Sequence, residues 1–100
     1  MVTLSVTRSR IAHVLARAAD DLGATGWNPD ANTIIDAIDR AAGFVPGNGS
    51  PDAEATSLAA WEALRAYRCT PDARKWETRP GLTQAEVLDA LRAASEEMSV

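Results

Sequence analysis

The chain has 100 residues, of which 46% are hydrophobic and 24% charged, and its formal net charge is −4. This hydrophobic fraction excludes a globally disordered chain, and the length predicts a single domain over residues 1–100. The negative charge disfavours binding to double-stranded nucleic acid and to anionic membranes. We expect a cytoplasmic protein, because no apolar run approaches the roughly 18 residues of a membrane span and the lone Cys69 cannot form an intrachain disulfide.

The first predicted helix covers Thr7 to Leu22. Apolar residues recur along it at the spacing of one helix face, and polar residues occupy the opposite face. The apolar positions are Ile11, Val14, Leu15, Ala18 and Leu22, and the polar positions are Arg10, His13, Arg17 and Asp20. Gly23 follows where a left-handed residue often ends a helix, so we expect the helix to end there.

A small polar residue followed by Pro-Asp-Ala occurs three times, beginning at Asn28, Ser50 and Thr70. Asn, Ser and Thr are favoured N-caps, Pro is favoured at the first helical position, and Asp suits the first turn. The apolar residues that follow lie at different offsets in the three copies, unlike those of an internal repeat. We therefore interpret the phrase as a helix-start signal and not as a shared ligand site.

The second predicted helix begins at Asn28-Pro29 and ends at Gly43, with an ion pair between Asp36 and Arg40 on its surface. Its predicted buried stripe comprises Ala31, Ile34, Ile35, Ile38, Ala41 and Ala42.

The third predicted helix runs from Ser50-Pro51 to about Arg68. Its large apolar residues recur every three positions, a spacing that drifts around the helix axis by about 60° per step. These residues are Leu58, Trp61, Leu64 and Tyr67. The drift predicts contacts with different neighbours at the two ends, as a central helix of a bundle would make.

A short helix carrying Trp76 is predicted after Thr70-Pro71. The last helix starts at a capping box formed by Thr83 and Glu86. Its apolar stripe comprises Val87, Leu88, Leu91, Ala94 and Met98. No segment shows the alternation of a β-strand, and the sequence predicts an all-α bundle of four main helices and one short helix.

Few residues suggest catalytic chemistry. His13 has no Ser, Cys or carboxylate at the spacing of a catalytic dyad, and one His with one Cys gives no metal-ligand spacing. Asp36 and Asp39 share a predicted solvent face, whereas a catalytic carboxyl group is usually buried. We expect no catalytic residue, no metal site and no cofactor.

Half of the ten basic residues lie between Arg65 and Arg79, interleaved with aromatic residues. We predict a binding region there, comprising Arg68, Arg74, Lys75, Trp76 and Arg79. A basic surface with an aromatic residue can bind an acidic protein or stack on a nucleotide. The other interpretation is that Trp76 belongs to the core and the arginines pair with acids of neighbouring helices.

Three stretches resemble an uncharacterised family of small proteins from actinobacteria and their phages. They are Gly26-Trp27, the segment Ala37-Ile38 with Arg40-Ala-Ala-Gly43, and the run Trp76-Glu-Thr-Arg-Pro-Gly-Leu-Thr83 before Glu86-Val87. The chain differs from the family pattern at three positions: Thr33 stands in place of Cys, Asp36 in place of Gly and Leu82 in place of Arg. The resemblance implies a source and a fold. It implies no activity, because the family has no established one.

The sequence leads to two functional hypotheses. The first is a small non-catalytic helical module for protein–protein interaction, encoded by a phage and acting on a host protein. The second is a small-ligand or nucleotide-binding protein with a basic-aromatic pocket. Because the Ala-rich helices have flat faces, we expect a monomer or a homodimer.

Overall fold

The computed structural model describes residues 7–44, 51–68 and 73–99. Within these ranges the chain forms five α-helices and no strand, which confirms the all-α prediction of four longer helices and one short helix. The helices are α1 (Arg8–Thr25), α2 (Ile34–Ala42), α3 (Pro51–Tyr67), α4 (Ala73–Glu77) and α5 (Gln84–Ser99). None of them combines the length and the apolar character that crossing a membrane requires.

The core forms where the apolar face of α1 meets the other helices. The predicted stripe of α1 is confirmed, because its apolar residues are buried and the predicted polar residues of the opposite face are exposed. α1 packs most extensively against α5 and next most extensively against α2. Small buried residues in the α1–α5 pair include Ala18, Ala19, Ala90 and Ala94. Small side chains allow two helix backbones to approach closely.

α1 and α5 run antiparallel. The Ser95 hydroxyl donates a buried 2.6 Å hydrogen bond to the Ala12 carbonyl oxygen, and Arg92 lies 3.7 Å from the Asp20 carboxylate. Residues early in α1 therefore meet residues late in α5. This pairing forms the frame against which α2 and α3 are placed.

α1 ends at Gly26 and not at Gly23 as predicted. Gly26 has a φ of +91°, and its N–H donates to the Leu22 carbonyl oxygen at 2.8 Å. Gly23 stays helical inside α1. The prediction was wrong because it chose the first glycine after the apolar stripe, whereas the second one has the positive φ that favours glycine.

The first Pro-Asp-Ala phrase forms a turn and not a helix start. The Asn28 side-chain oxygen accepts hydrogen bonds from the N–H groups of Asp30 and Ala31 at 2.8 and 3.2 Å. The backbones of Asn28 and Asn32 then exchange hydrogen bonds of 3.0 and 2.9 Å. An Asn side chain can cap a single turn as well as a helix, and here the Asn28–Asn32 pair closes the turn before a helix forms.

α2 begins at Ile34, with Thr33 as its N-cap. The Thr33 hydroxyl accepts the N–H of Asp36 at 3.2 Å, and the Asp36 carboxylate accepts the N–H of Thr33 at 3.0 Å. Because Asp36 completes this capping box, the predicted pair between Asp36 and Arg40 is wrong. Arg40 donates instead to Asp21 at 2.7 Å, and this bond joins α2 to α1. The predicted end of the helix at Gly43 is confirmed.

α3 begins at Pro51, as the second phrase predicts, and buries mainly small residues. Its buried positions are Ala53, Thr56, Ser57, Ala60 and Leu64. Of the four large apolar residues expected to contact neighbours, only Leu64 is fully buried. Trp61 is half-buried, Leu58 is 60% exposed and Tyr67 is 41% exposed. The small residues face the core, and the larger side chains next to them on the helix lie at its flank.

α4 carries Trp76, as predicted, although Cys69 and Thr70–Asp72 lie outside the described residues. α5 follows Thr83, whose hydroxyl accepts the N–H of Glu86 at 3.2 Å. This bond confirms the predicted helix start, but the predicted capping box is only half formed, because the Glu86 carboxylate accepts from the Thr83 hydroxyl and not from the Thr83 N–H. Val87, Leu91 and Ala94 of the predicted stripe are fully buried, and Leu88 and Met98 are partly buried.

Candidate functional site

Trp76, the aromatic centre of the predicted binding region, is part of the core. Its side chain is 8% exposed and belongs to the buried apolar cluster of the protein. The Arg68 guanidinium lies 4.9 Å from the centroid of the ring, within the range of a cation–π contact. The structure thus places Trp76 in the core, as the second interpretation of the sequence did. Little of the ring is left for a nucleotide base to stack on.

Two of the predicted basic residues around α4 have acidic partners within the protein. Arg74 donates to Glu77 at 2.8 Å, and Arg79 lies 3.3 Å from Glu86. Lys75 is exposed and has no partner among the described residues. The structure brings Arg68 and Trp76 together, whereas Arg74 donates to Glu77 and to the Pro29 carbonyl oxygen. The positive charge of Arg74 and Arg79 is thus partly neutralised within the protein.

A concavity of about 290 Å³ lies beside Trp76, between α3, α4 and α5. It is lined by Tyr67, Arg68, Trp76, Glu86, Asp89, Ala90 and Ala93. The lining holds two carboxylates and one guanidinium, so its net negative charge opposes the binding of a large anion such as a nucleoside phosphate. The Trp76 indole N–H is buried and has no hydrogen-bond acceptor in the part of the chain that the structure describes.

Glu77 is a buried carboxylate that did not stand out in the sequence. It is 1% exposed and lies directly after Trp76 at the end of α4. One of its oxygens, Oε2, accepts the Trp27 indole N–H at 2.9 Å and the Ile34 backbone N–H at 2.7 Å. The other, Oε1, accepts from Arg74 at 2.8 Å. A single side chain thus connects the α1–α2 connection, the start of α2 and α4.

The bonds of Glu77 indicate a structural role. The Ile34 N–H is one of the free donors at the start of α2, and a carboxylate there also interacts favourably with the helix dipole. Both oxygens of Glu77 are engaged and buried, so they are closed to a substrate. The sequence offered one indication of this contact, because Gly26-Trp27 and Trp76-Glu77 both belong to the stretches that resemble the family. The resemblance does not show that the two motifs are in contact.

The sequence did not predict a second concavity, which we call the α2–α3 groove. It has a volume of about 230 Å³ and lies between α2 and α3. Its lining comprises Ile35, Asp39, Phe44, Glu54, Ser57, Leu58 and Trp61. Leu58, the most exposed large apolar side chain among the described residues, belongs to this lining. The spacing of Leu58 and Trp61 was visible in the sequence, but it was interpreted as helix packing.

Polar groups are few in the α2–α3 groove. The hydroxyl of Ser57, itself buried, donates a short hydrogen bond to Oδ1 of Asp39. Glu54 is exposed and has no partner among the described residues. An apolar lining with a few fixed polar groups is the usual composition of a binding site.

The remaining sequence candidates do not assemble into a reactive site. His13 is exposed on α1, and Asp36 is engaged in the cap of α2. No group of three or more His, Cys, Asp or Glu side chains within residues 7–44, 51–68 and 73–99 is arranged to hold a metal ion.

Comparison with known proteins finds a match to a family of unknown function. Residues 6–97 match a family model described as a family of unknown function, DUF6197. No curated protein and no solved structure matches the chain. The expected resemblance to an uncharacterised family is therefore confirmed, whereas the actinobacterial or phage source stays a prediction.

Proposed function

Because the chain belongs to DUF6197, a family of unknown function, we propose a function from its own geometry: it is a non-catalytic helical module that binds a partner protein through the α2–α3 groove. The observation that carries this proposal is the exposure of Leu58. Beside it, Trp61 is half-buried and Phe44 partly exposed. Large apolar and aromatic side chains that line a shallow concavity are typical of the anchor regions of protein interfaces.

The packing of α3 supports the same surface. Its core-facing positions are occupied by Ala53, Thr56, Ser57 and Ala60, while Leu58 lies outside. Burial of a Leu side chain is worth roughly 1.5–3 kcal/mol, and a partner that covers Leu58 would gain part of this energy. An exposed Leu beside a half-buried Trp is consistent with burial by a partner.

The basic region around α4 supports a partner less strongly. Arg74 is held by the buried Glu77, and Arg79 by Glu86. An acidic partner at that surface would compete with these internal pairs. Lys75 is exposed without such a pair among the described residues. Lys75→Glu therefore tests the acidic-partner hypothesis while leaving the hydrogen bonds of Glu77 in place.

Affinity capture from host lysate tests the proposed function. The bait is the wild type, Leu58→Ser or Tyr67→Ser, and bound proteins are identified by mass spectrometry. Tyr67→Ser is the control, because it also removes an exposed large side chain from α3 but lies outside the groove, in the lining of the concavity beside Trp76, so the two variants separate the two surfaces. We expect Leu58→Ser to lose the specific partner and Tyr67→Ser to retain it. Equal melting temperatures exclude unfolding as the cause, and identical partner lists for all three baits would contradict the proposal.

Binding of a small ligand in the concavity beside Trp76 is a second candidate function, favoured by a lining that holds charges of both signs, the Arg68 guanidinium and the carboxylates of Glu86 and Asp89. A ligand there would place a negative group near Arg68 and a positive group near Glu86 and Asp89. A small zwitterion such as an amino acid fits these requirements better than a nucleotide. A thermal-shift panel of amino acids and nucleotides tests it, because a specific ligand raises the melting temperature by mass action. The absence of any shift would rule this candidate out.

We also propose that the protein acts in the cytoplasm of an actinobacterium or of a phage-infected host. The family resemblance and the single cysteine support this assignment. The genes that lie beside this one test it directly.

A further inference from the structure

The α2–α3 groove carries negative charge and no positive charge among the residues that line it. Asp39 and Glu54 contribute carboxylates to this lining, which contains no Lys, Arg or His. Ser57 donates to one oxygen of Asp39, and the other oxygen has no partner among the described residues. Asp52, which precedes Glu54 on α3, is already paired with Arg10 at 2.6 Å. Unpaired acids thus remain next to the apolar lining in the part of the chain that the structure describes.

The size and position of the groove suit a segment of polypeptide. Its volume is about 230 Å³. Such a volume accommodates one or two apolar side chains. The groove also lies between two helices, where a third helix can pack by inserting its side-chain ridge.

On these grounds we propose that the α2–α3 groove binds a basic amphipathic helix of a partner protein. An apolar side chain of that helix packs against Leu58 and Trp61, and Lys or Arg residues pair with Glu54 and Asp39. This inference rests on the function proposed above and specifies the chemistry of the partner.

The spacing of the groove residues along α3 determines which spacing of basic and apolar residues we expect in the partner helix. Glu54, Leu58 and Trp61 are separated by four and three residues, so they lie along one face of the helix. An acid therefore lies one helical turn before the apolar contact. The bound helix has to place a basic residue about one turn from its apolar anchor.

Selection from a displayed library of random amphipathic helical peptides tests the proposal while the natural partner is still unidentified. The immobilised full chain is the target, and selected peptides are retested against Leu58→Ser. Peptides that lose binding to this variant are taken as groove-dependent. We expect them to carry more Lys and Arg than the unselected library, placed one turn from an apolar residue.

Charge variants then test the role of Glu54. Glu54→Lys should weaken groove-dependent peptides by about three- to tenfold, because it replaces an attraction by a repulsion at an exposed site. Glu62→Lys is the matched control: it changes the same charge on α3 outside the groove, at a residue paired with Arg65. We expect it to change affinity by less than about twofold at about 0.15 M salt, where remote charges are screened.

The outcomes separate this inference from the proposed function. Groove-dependent peptides without basic enrichment, or with equal response to the two Glu variants, would overturn the basic-helix inference and leave protein binding standing. A selection that yields no Leu58-dependent peptide would count against both. Sedimentation completes the test, since Leu58-dependent self-association would make a second copy of the chain the occupant and overturn the proposal.

Discussion

At the scale of single residues, Glu77 connects segments that are far apart in the sequence. Its carboxylate accepts from Trp27 and Ile34, which lie 50 and 43 positions earlier in the chain, and from Arg74 within α4. A buried carboxylate is costly unless its lone pairs are used, and here both oxygens have donors. The same bonds join α4, a helix too short to be stable by itself, to the α1–α2 connection and to the start of α2.

Glu77→Gln should lower the free energy of unfolding by about 3 kcal/mol. The amide places an NH2 group against the Trp27, Ile34 or Arg74 donors and leaves buried donors without acceptors. Urea denaturation followed by circular dichroism measures the loss. Glu86→Gln is the control, because its pair with Arg79 is exposed and contributes at most about 1 kcal/mol. Equal stabilities of the two variants would show that Glu77 does not have this role.

The two glycines near the end of α1 should respond in opposite directions to alanine. Gly23→Ala is expected to stabilise the protein by about 0.5–1 kcal/mol, since alanine is favoured within a helix. The added Cβ would lie 3.6 Å from a Leu88 methyl carbon, an ordinary contact. Gly26→Ala should destabilise by about 1–2 kcal/mol, because its φ is +91°. Thermal unfolding of both variants measures the difference, and a stabilising Gly26→Ala would contradict the assigned helix end.

At the scale of the elements, α2 shows how one sequence signal can encode two structures. Asn28-Pro29-Asp30 has the composition of a helix start and forms a turn, while the start of α2 is capped by Thr33. The capping box of Thr33 and Asp36 was present in the sequence as a Thr-x-x-Asp pattern. Local composition could not decide between the two starts, because the backbone pairing of Asn28 with Asn32 and the distant carboxylate of Glu77 both favour the later one.

Thr33→Ala should therefore destabilise the protein by about 1 kcal/mol through loss of the α2 cap. Asp30→Ala is the matched test of the rejected helix start. Its side chain would interact with the helix dipole if α2 began at Pro29, but it lies in the turn, so we expect a change below about 0.5 kcal/mol. Urea denaturation of both variants distinguishes the two starts. A larger effect of Asp30→Ala would favour a helix that begins at the first phrase.

The α2–α3 groove could not be predicted from sequence for a related reason. The three-residue spacing of Leu58, Trp61 and Leu64 is compatible with a buried face that drifts around α3, and the sequence does not state which neighbour lies where. The buried face instead follows the small residues Ala53, Thr56, Ser57 and Ala60. Only the positions of α1 and α2 reveal that Leu58 lies at the flank.

At the scale of the whole molecule, strong local patterns predicted the fold well and long-range contacts poorly. The stripes of α1 and α5 were correct because helical periodicity is a property of the nearby sequence. The placement of Trp76 in the core was one of two open interpretations, and the Glu77 contacts were not foreseen. Such contacts depend on residues tens of positions apart, about which periodicity carries no information.

Amide hydrogen exchange should show that local stability differs between the helices. Amides near Leu15 in α1 and Leu91 in α5 lie in the best-buried helix pair and should exchange slowest, through global unfolding. Amides of α4 should exchange at least about tenfold faster, because this helix has five residues and few neighbours. Mass spectrometry of peptides from a deuterium time course measures both. Equal protection would mean that α4 opens only when the whole protein unfolds.

The antiparallel pairing of α1 with α5 has a consequence for folding kinetics. The bond between Ser95 and Ala12 joins residues 83 positions apart, and the most extensive helix contact in the protein joins its first and last described helices. The entropy of closing so long a loop has to be lost before this contact stabilises the chain. We expect the protein to refold more slowly than bundles of similar size whose helices pair with their sequence neighbours, and a circular permutant that makes α5 and α1 adjacent in sequence to refold faster than the natural order.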